Sequence, residues 1–420
     1  MYSRIVERLV GNARYIAPIS LALLAIFLTG YMLVAAPLNN NVWLVASDVQ
    51  VQQVSTPRTP RFLNGKLASL GWIVGRDCQR GMRAYLQTAN TNPDAALVGT
   101  GWVDPTTGQL INGQSNNCVP GSLTMDNVVQ LVHSKGGMAY LTITMMTDGS
   151  AQAWTSQQQS EYIDHASTDE HYIDPIINEV KRLNYDGVIM DMEAGDANYP
   201  NIQHLFASFN QRVWAALKPL HKWYGIALLH KLSDHDDYYH LNAFEDWSLL
   251  GHCADFMVIM AVDQSYFMPG PTVSLPWLKQ LLDYELQKMP YMLPHTIWEL
   301  PLYGASWYLQ NGNWVFDTGV NYQDGVDLVA QIPQSEIDTA DSDLNDATCA
   351  HLVYTDSNGV EHSLWYHTAK NLYYIITNFE QVLAHTPQFG NSHLQIAVWY
   401  RATWEPSDVW ALLNPVLPNN

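Results

Sequence analysis

The run Asp186-Gly187-Val188-Ile189-Met190-Asp191-Met192-Glu193 ends in two carboxylates placed two residues apart. Successive side chains of an extended strand point to opposite faces, so Ile189, Asp191 and Glu193 share one face if this run is a strand. Two acids on one face suit proton transfer, because the negative charge of one raises the pKa of the other. Just upstream, Tyr172, Ile173, Ile176, Ile177, Val180 and Leu183 recur at helical spacing, and Asn184-Tyr185 breaks the pattern. A helix leading into an apolar strand that ends in acids is half of a βαβ unit. In a barrel of such units, catalytic groups sit at the C-terminal ends of the strands. Taken alone, an acidic strand end can equally be a solvated surface or hold a cation. The rest of the chain has to decide.

Further strands are predicted at 70–75, 96–103, 138–145, 187–192, 225–229, 256–262, 296–302 and 394–400. Helical segments between them include 125–134, 202–217 and 276–288, with one more from about 368 to 385. Eight mostly apolar strands alternating with helices predict a (β/α)8 TIM barrel rather than an open sheet. The barrel is expected to occupy 67–415. About 90 residues separate the seventh and eighth strands, with an acidic run at 338–346 and an Asn358-Gly359 turn signal. A small α+β insertion, about 308–365, is expected there on the barrel's top face.

Apolar residues make up 47% of the 420 and charged ones only 14%, so a large core is available. The net charge of -20 argues against nucleic acid as a partner, since Lys and Arg contacts to phosphate dominate such binding. Neutral glycans fit this surface better, and abundant Trp and Tyr suit sugar faces. Arg4, Arg8 and Arg14 lie in a basic tail, 1–14, ahead of an apolar run at 15–37. That run is long enough to span a lipid bilayer and long for a signal-peptide core. An uncleaved signal anchor is favoured over a cleaved signal peptide. Either one exports the remainder, to the outer face of the plasma membrane or as a secreted protein. Residues 38–66 contain Ser55-Thr56-Pro57-Arg58-Thr59-Pro60 and read as an extended linker.

Cys78 and Cys118 fall in loops after the first two strands and form the candidate disulfide, whereas Cys253 and Cys349 are expected to be separate thiols. No cysteine spacing fits a zinc site. His230-Lys231-Leu232-Ser233-Asp234-His235-Asp236-Asp237 carries ligand-type residues, but its spacing matches no metal motif and a solvated loop is expected. Neither a metal nor an organic cofactor is expected.

The segment Asp186–Glu193 resembles the Asp-x-x-Asp-x-Asp-x-Glu signature of glycoside hydrolase family 18, the chitinase-like barrels. Other segments match in order. ALVGTGWVDPTTGQL at 96–110 is similar to the second strand and its turn, and Lys231–Asp234 to the run after the fifth. DFMVIMAVD at 255–263 resembles the family's Met-x-Tyr-Asp strand, which ends here as Met260-Ala261-Val262-Asp263. LPLYGASW at 300–307 resembles the seventh strand, and Ala397-Val398-Trp399 the eighth. YTDSNGVEHSLWY at 354–366 resembles the insertion of the peptidoglycan-acting, spore-cortex-lytic branch. The resemblance spans roughly residues 67–412.

It implies retaining, substrate-assisted hydrolysis of a β-linked N-acetylglucosamine polymer, one of the exceptions to the two-carboxylate scheme. Glu193 would be general acid and then base, Asp191 would hydrogen-bond the substrate acetamido group, and Asp263 would help orient it. Trp399 would floor the subsite of the reacting sugar, with Tyr303, Trp102 and Met260 lining the cleft. Asp186 and Gly187 are expected to be structural parts of the motif. Two positions depart from the family pattern. Ile189 stands where many members have an acid, which leads to the expectation that Asp191 stays ionised and aimed at Glu193. Val262 stands in place of the Tyr hydroxyl. The alternative is a lectin-like, glycan-binding barrel of weak or absent catalysis, against which the presence of Glu193, Asp191 and Asp263 argues.

Overall fold

The computed structural model describes residues 69–74, 85–86, 94–104, 107–111, 125–144, 154–193, 195–236, 242–301, 303–390 and 392–399. Eight parallel strands close into a barrel: β1 (Ser69–Val74), β2 (Ala95–Val103), β3 (Ala139–Thr144), β4 (Gly187–Asp191), β5 (Trp223–Leu229), β6 (Phe256–Met260), β7 (Thr296–Pro301) and, after an insertion, the eighth strand (Gln395–Trp399). The eighth strand pairs with both β7 and β1, and β1 with β2, which closes the ring. The predicted TIM barrel is the observed one, with each strand shifted by a few residues at most.

The helices between strands turn their apolar stripes onto the barrel. In α1 (Met125–Ser134) these are Val128, Val129 and Val132. In α2 (Ser156–Thr168) they include Tyr162, Ile163 and Ala166, and a capping box between Thr155 and Gln158 opens the helix. In α3 (Asp174–Leu183) Ile176, Ile177 and Val180 are buried, each contributing about 1.5–3 kcal/mol. Pro175 lies in its first turn, and Asn184 ends it in the left-handed conformation at φ 57°. That stop delivers the chain directly into β4. Helix α4 (Ile202–Leu217) covers the next gap and α5 (Leu275–Lys288) packs outside β6 and β7.

Inside the barrel, Leu70, Trp72, Ala96, Tyr140, Ile189, Ala227, Val258, Met260, Ile297 and Ala397 form a separate apolar cluster. Gly187 is required at the barrel floor. A Cβ there would lie 2.4 Å from the Trp223 carbonyl oxygen and 3.0 Å from the Tyr140 ring. Asp186 has a structural part too: its Oδ2 accepts from Ala139 N at 2.9 Å and sits 2.8 Å from His133 Nε2. Asp94 and Asp255 repeat the device at two other strand starts, accepting from Met138 N and Tyr224 N at 2.9 Å. These clips join neighbouring strands at the end of the barrel opposite the acids.

The insertion leaves from the C-terminal end of β7. It forms a five-stranded antiparallel sheet of β8 (Tyr303–Gln310), β9 (Asn313–Asn321), β10 (Ile337–Asp343), β11 (Ala350–Thr355) and β12 (Glu361–Tyr366), with helix α6 (Tyr322–Gln331) after β9. The sheet begins at Tyr303, earlier than the expected start at about 308. Asn358-Gly359 turns β11 into β12, with Gly359 at φ 80° and Asp356 Oδ1 accepting from Asn358 N and Val360 N. Helix α7 (Ala369–Ala384), opened by a Thr368/Asn371 capping box, returns the chain to the eighth strand.

Among the described residues no helix is long and apolar enough to cross a membrane. The tail 1–14, the apolar run 15–37 and the linker 38–66 lie outside the described residues, as do Cys78 and Cys118. Cys253 and Cys349 are buried free thiols.

A buried carboxyl in the outer layer gives one stability prediction. Glu285 of α5 is fully enclosed, shares a short hydrogen bond with Thr296 Oγ1, and burial pushes its pKa to about 8. Its folded pKa exceeds its unfolded value of 4.5, so stability is fully present below that pH and is lost as pH rises through about 8. The loss runs at about 1.4 kcal/mol per pH unit. Glu285→Gln is expected to flatten this slope and to be roughly 3 kcal/mol more stable than the wild type at pH 7. Urea unfolding at pH 5, 7 and 8.5 checks it; parallel slopes for the two proteins would refute the assignment.

Candidate active site

Asp191 is the last residue of β4, and Glu193 follows two residues later at the barrel's C-terminal face. Beyond them the chain is tied down. Asp196 N donates to Ser160 Oγ at 2.8 Å and Tyr199 OH donates to Asp164 Oδ2 at 2.8 Å, both on α2. Asp263 follows β6 with φ 60°, a left-handed conformation rare for a residue with a side chain. Such strain persists only where the surroundings impose it. Here Gln264 N bonds Thr272 O at 2.9 Å, and Thr272 Oγ1 donates to Tyr303 O at 3.1 Å. Tyr303 OH in turn donates to Asp263 Oδ1 at 2.6 Å. A hydroxyl from the insertion's first strand therefore stands at Asp263, where Val262 supplies none.

Burial governs the acids. Asp191 is only 8% exposed, and burial first, then the charge of Glu193, pushes its pKa to about 8. Burial likewise raises Glu193. The pair therefore holds at least one proton near neutral pH, in two linked ionisations that belong to the pair. This corrects the expectation that Asp191 stays ionised. Removing the acid at Ile189 removes one charge, but desolvation at the top of a packed barrel is the larger effect. Asp191 Oδ1 and Glu193 Oε2 are enclosed and make no hydrogen bond among the described residues, which leaves both available to a ligand.

Sequence reasoning missed two further acids of this end of the barrel, Glu299 and Glu245, and placed Lys231 in a solvated loop, whereas Lys231 and His230 are buried. Glu299 on β7 is 1% exposed and its pKa is raised well above the usual range by burial and then by Asp191 and Glu193. Glu245 is equally buried and also raised, while Lys231 nearby draws it back down. Lys231 is buried and donates from Nζ to the backbone oxygens of Glu245 at 2.9 Å and Asn242 at 3.3 Å. Their sequence signal was a charged residue set within an apolar strand or loop.

Met260 ends β6 and lies buried in the inner cluster with Val262. Trp399 ends the eighth strand and Trp102 lies near the end of β2. Their backbones are placed there, while their side chains fall outside what is described. The His230 to Asp236 loop has structural work. Asp236 accepts from Leu232 N and Ser233 N, Asp234 binds Lys288 Nζ at 2.6 Å and Tyr284 OH at 2.8 Å, and buried His230 packs its ring on Trp277. Among the described residues no three His, Cys, Asp or Glu side chains are grouped to hold a metal ion.

No family model matches the chain, and no curated protein matches its sequence. Solved structures do match its fold. A chitinase from Chromobacterium violaceum aligns with a TM-score of 0.64 and 16% identity, over 84% of this chain and 100% of that one. The spore cortex-lytic enzyme SleL of Bacillus cereus aligns at 0.63 and 17%, over 84% of this chain and 75% of that one. A chitinase-like agglutinin from Robinia pseudoacacia aligns at 0.59 and 14%, over 83% and 99%. The fold is that of the chitinase-like barrels. At these identities the likeness is one of architecture, and it joins hydrolases with an agglutinin.

Proposed function

We propose that the chain is an exported glycosidase that hydrolyses a β-linked, N-acetylglucosamine-containing polysaccharide, peptidoglycan or chitin-like, with retention. The observation that carries this reading is the Asp191–Glu193 pair at the C-terminal end of the barrel, each with an enclosed oxygen that makes no hydrogen bond among the described residues and each with its pKa raised by burial. Glu193 gives its proton to the glycosidic oxygen as that bond to the anomeric carbon breaks. The substrate's own acetamido oxygen bonds to the anomeric carbon from the opposite face, its N–H held by Asp191. Glu193 then takes a proton from the water that opens the cyclic intermediate. Asp263 and the Tyr303 hydroxyl bracket the acetamido group, and Trp399 stacks under the ring.

Mass spectrometry of products from defined chitooligosaccharides and purified peptidoglycan tests the reading and identifies the polymer. Release of reducing N-acetylglucosamine ends supports it; intact substrate throughout rejects it. Tyr303→Phe is expected to lower kcat/KM about 10-fold with little effect on folding, the worth of a hydrogen bond to a charged partner. A wild-type value in Tyr303→Phe would remove the hydroxyl from the mechanism. The second reading, a glycan-binding protein, is favoured by Val262 and by the agglutinin on the same fold; under it the wild type binds glycan and releases nothing.

Residues 15–37 would anchor the enzyme in the lipid bilayer with the barrel outside. Cell fractionation is expected to place the full chain with membranes and a chain starting at 38 in the soluble fraction. Recovery of both in the soluble fraction would reject the anchor.

A further inference from the structure

Phe244 is fully buried, and its ring lies against the chain that leaves the acid pair. A Cβ on Gly195, two residues beyond Glu193, would lie 2.8 Å from the Phe244 ring, so the ring comes this close only because Gly195 has no side chain. The ring also packs on Phe206 of α4, with 4.9 Å between centroids. The turn that carries Phe244 is tied to its surroundings at every residue but Phe244 itself. Asn242 Nδ2 donates to the His230 carbonyl at 2.8 Å, and Gln203 Nε2 of α4 donates to Ala243 O at 3.3 Å. Glu245 N donates back to Asn242 O at 2.9 Å. Lys231, two residues past β5, clamps both ends of the turn, its Nζ donating to the carbonyls of Asn242 at 3.3 Å and Glu245 at 2.9 Å. Lys231 is 1% exposed. A buried ammonium is costly to keep, and an apolar side chain of similar length would sit there at less cost to folding. Its retention points to precision in the turn rather than to stability.

We propose that Phe244, seated by the buried Lys231 ammonium, is a positioning residue for Glu193: it packs on Gly195 and so fixes the backbone that aims the carboxyl at the glycosidic oxygen. The role rests on the glycosidase reading above. The grip on this segment has a second side, since Asp196 N is held by Ser160 Oγ of α2 at 2.8 Å. A carboxyl that gives a proton and then takes one from water has to keep its place through both steps. A displacement of about 1 Å can cost about 100-fold in rate. Neither Phe244 nor Lys231 gives or takes a proton in the cycle.

Lys231→Met removes the clamp and keeps the apolar stem. Its kcat is expected to fall about 10-fold, with KM within about threefold of the wild type. Gly195→Ala drives a methyl group into the Phe244 ring and should lower kcat about 10- to 100-fold, again with KM little changed. Trimming the ring as well, in Gly195→Ala/Phe244→Leu, should raise kcat about threefold or more over Gly195→Ala alone. Lost stability cannot give such a rescue, because Phe244→Leu by itself removes core volume. Hydrogen exchange of the segment 191–199, read by mass spectrometry, should be faster in Lys231→Met and in Gly195→Ala while β6 and β7 keep their wild-type protection. Wild-type kcat in Gly195→Ala, no rescue in the double variant, or wild-type exchange of 191–199 in both single variants would overturn the proposal. If Lys231→Met does not fold, Gly195→Ala and the double variant decide it. If the wild type cleaves no glycan, the glycosidase reading fails on that result, and the exchange data alone decide whether Lys231 and Phe244 hold the Glu193 segment.

Discussion

Glu193→Gln is expected to lower kcat by about 10²–10⁴-fold while leaving glycan affinity within about threefold. The amide keeps the size and one hydrogen-bonding oxygen of the carboxyl but has no proton to give to the leaving oxygen. It also cannot take one from water, so both halves of the reaction slow together. Nothing else in the site replaces it. In the proposed mechanism Asp191 is committed to the acetamido group, and Glu245 and Glu299 are both buried, each 1% exposed. Losing an acid from the Asp191 pair also removes repulsion, so Glu193→Gln should melt no lower than the wild type. Calorimetric titration with a chitooligosaccharide, set beside turnover, separates binding from chemistry. A Glu193→Gln protein that turns over at the wild-type rate would remove Glu193 from the mechanism.

Asp191→Asn is expected to cost about 10²-fold in kcat and to reshape its pH dependence. In the wild type the form with one proton on the pair is the working one, so activity falls both when a second proton binds and when the last one leaves. Burial and mutual repulsion place the pair high, with Asp191 near 8. Both carboxyls have folded pKa values raised above their ordinary ones, so the alkaline limb lies above neutrality. The neutral Asn removes the repulsion that raises Glu193, and the alkaline limb should move to lower pH while the acid limb fades. A profile of unchanged shape, merely scaled down, would show that Asp191 does not share the proton.

The barrel was legible because its signals are periodic and local: apolar strands, amphipathic helices, and a helix stop at Asn184 just before β4. Asp191 and Glu193 could be placed on one face from spacing alone, and the floor role of Gly187 follows from its backbone neighbours once the sheet closes. What spacing did not reveal depends on contacts far apart in the chain. Tyr303 and Asp263 are 40 residues apart, and no pattern along the sequence announces their 2.6 Å hydrogen bond. Glu299 reads as one acid inside an otherwise apolar strand, and only the closed ring of strands buries it. The ionisation of Asp191 was misjudged for a related reason. Sequence neighbours report nearby charge, whereas desolvation depends on everything packed around the group. Ile189 is informative here after all, as part of the apolar plug that makes the acid above it hard to ionise.

The anomeric form of the first sugar released from a chitooligosaccharide or from peptidoglycan, followed by proton NMR from the start of the reaction, tests the central claim most directly. The β-anomer should appear first with the wild type, and no product should appear with Glu193→Gln. Initial α-anomer, or glycan bound equally by both proteins with no reducing ends from either, would contradict the account.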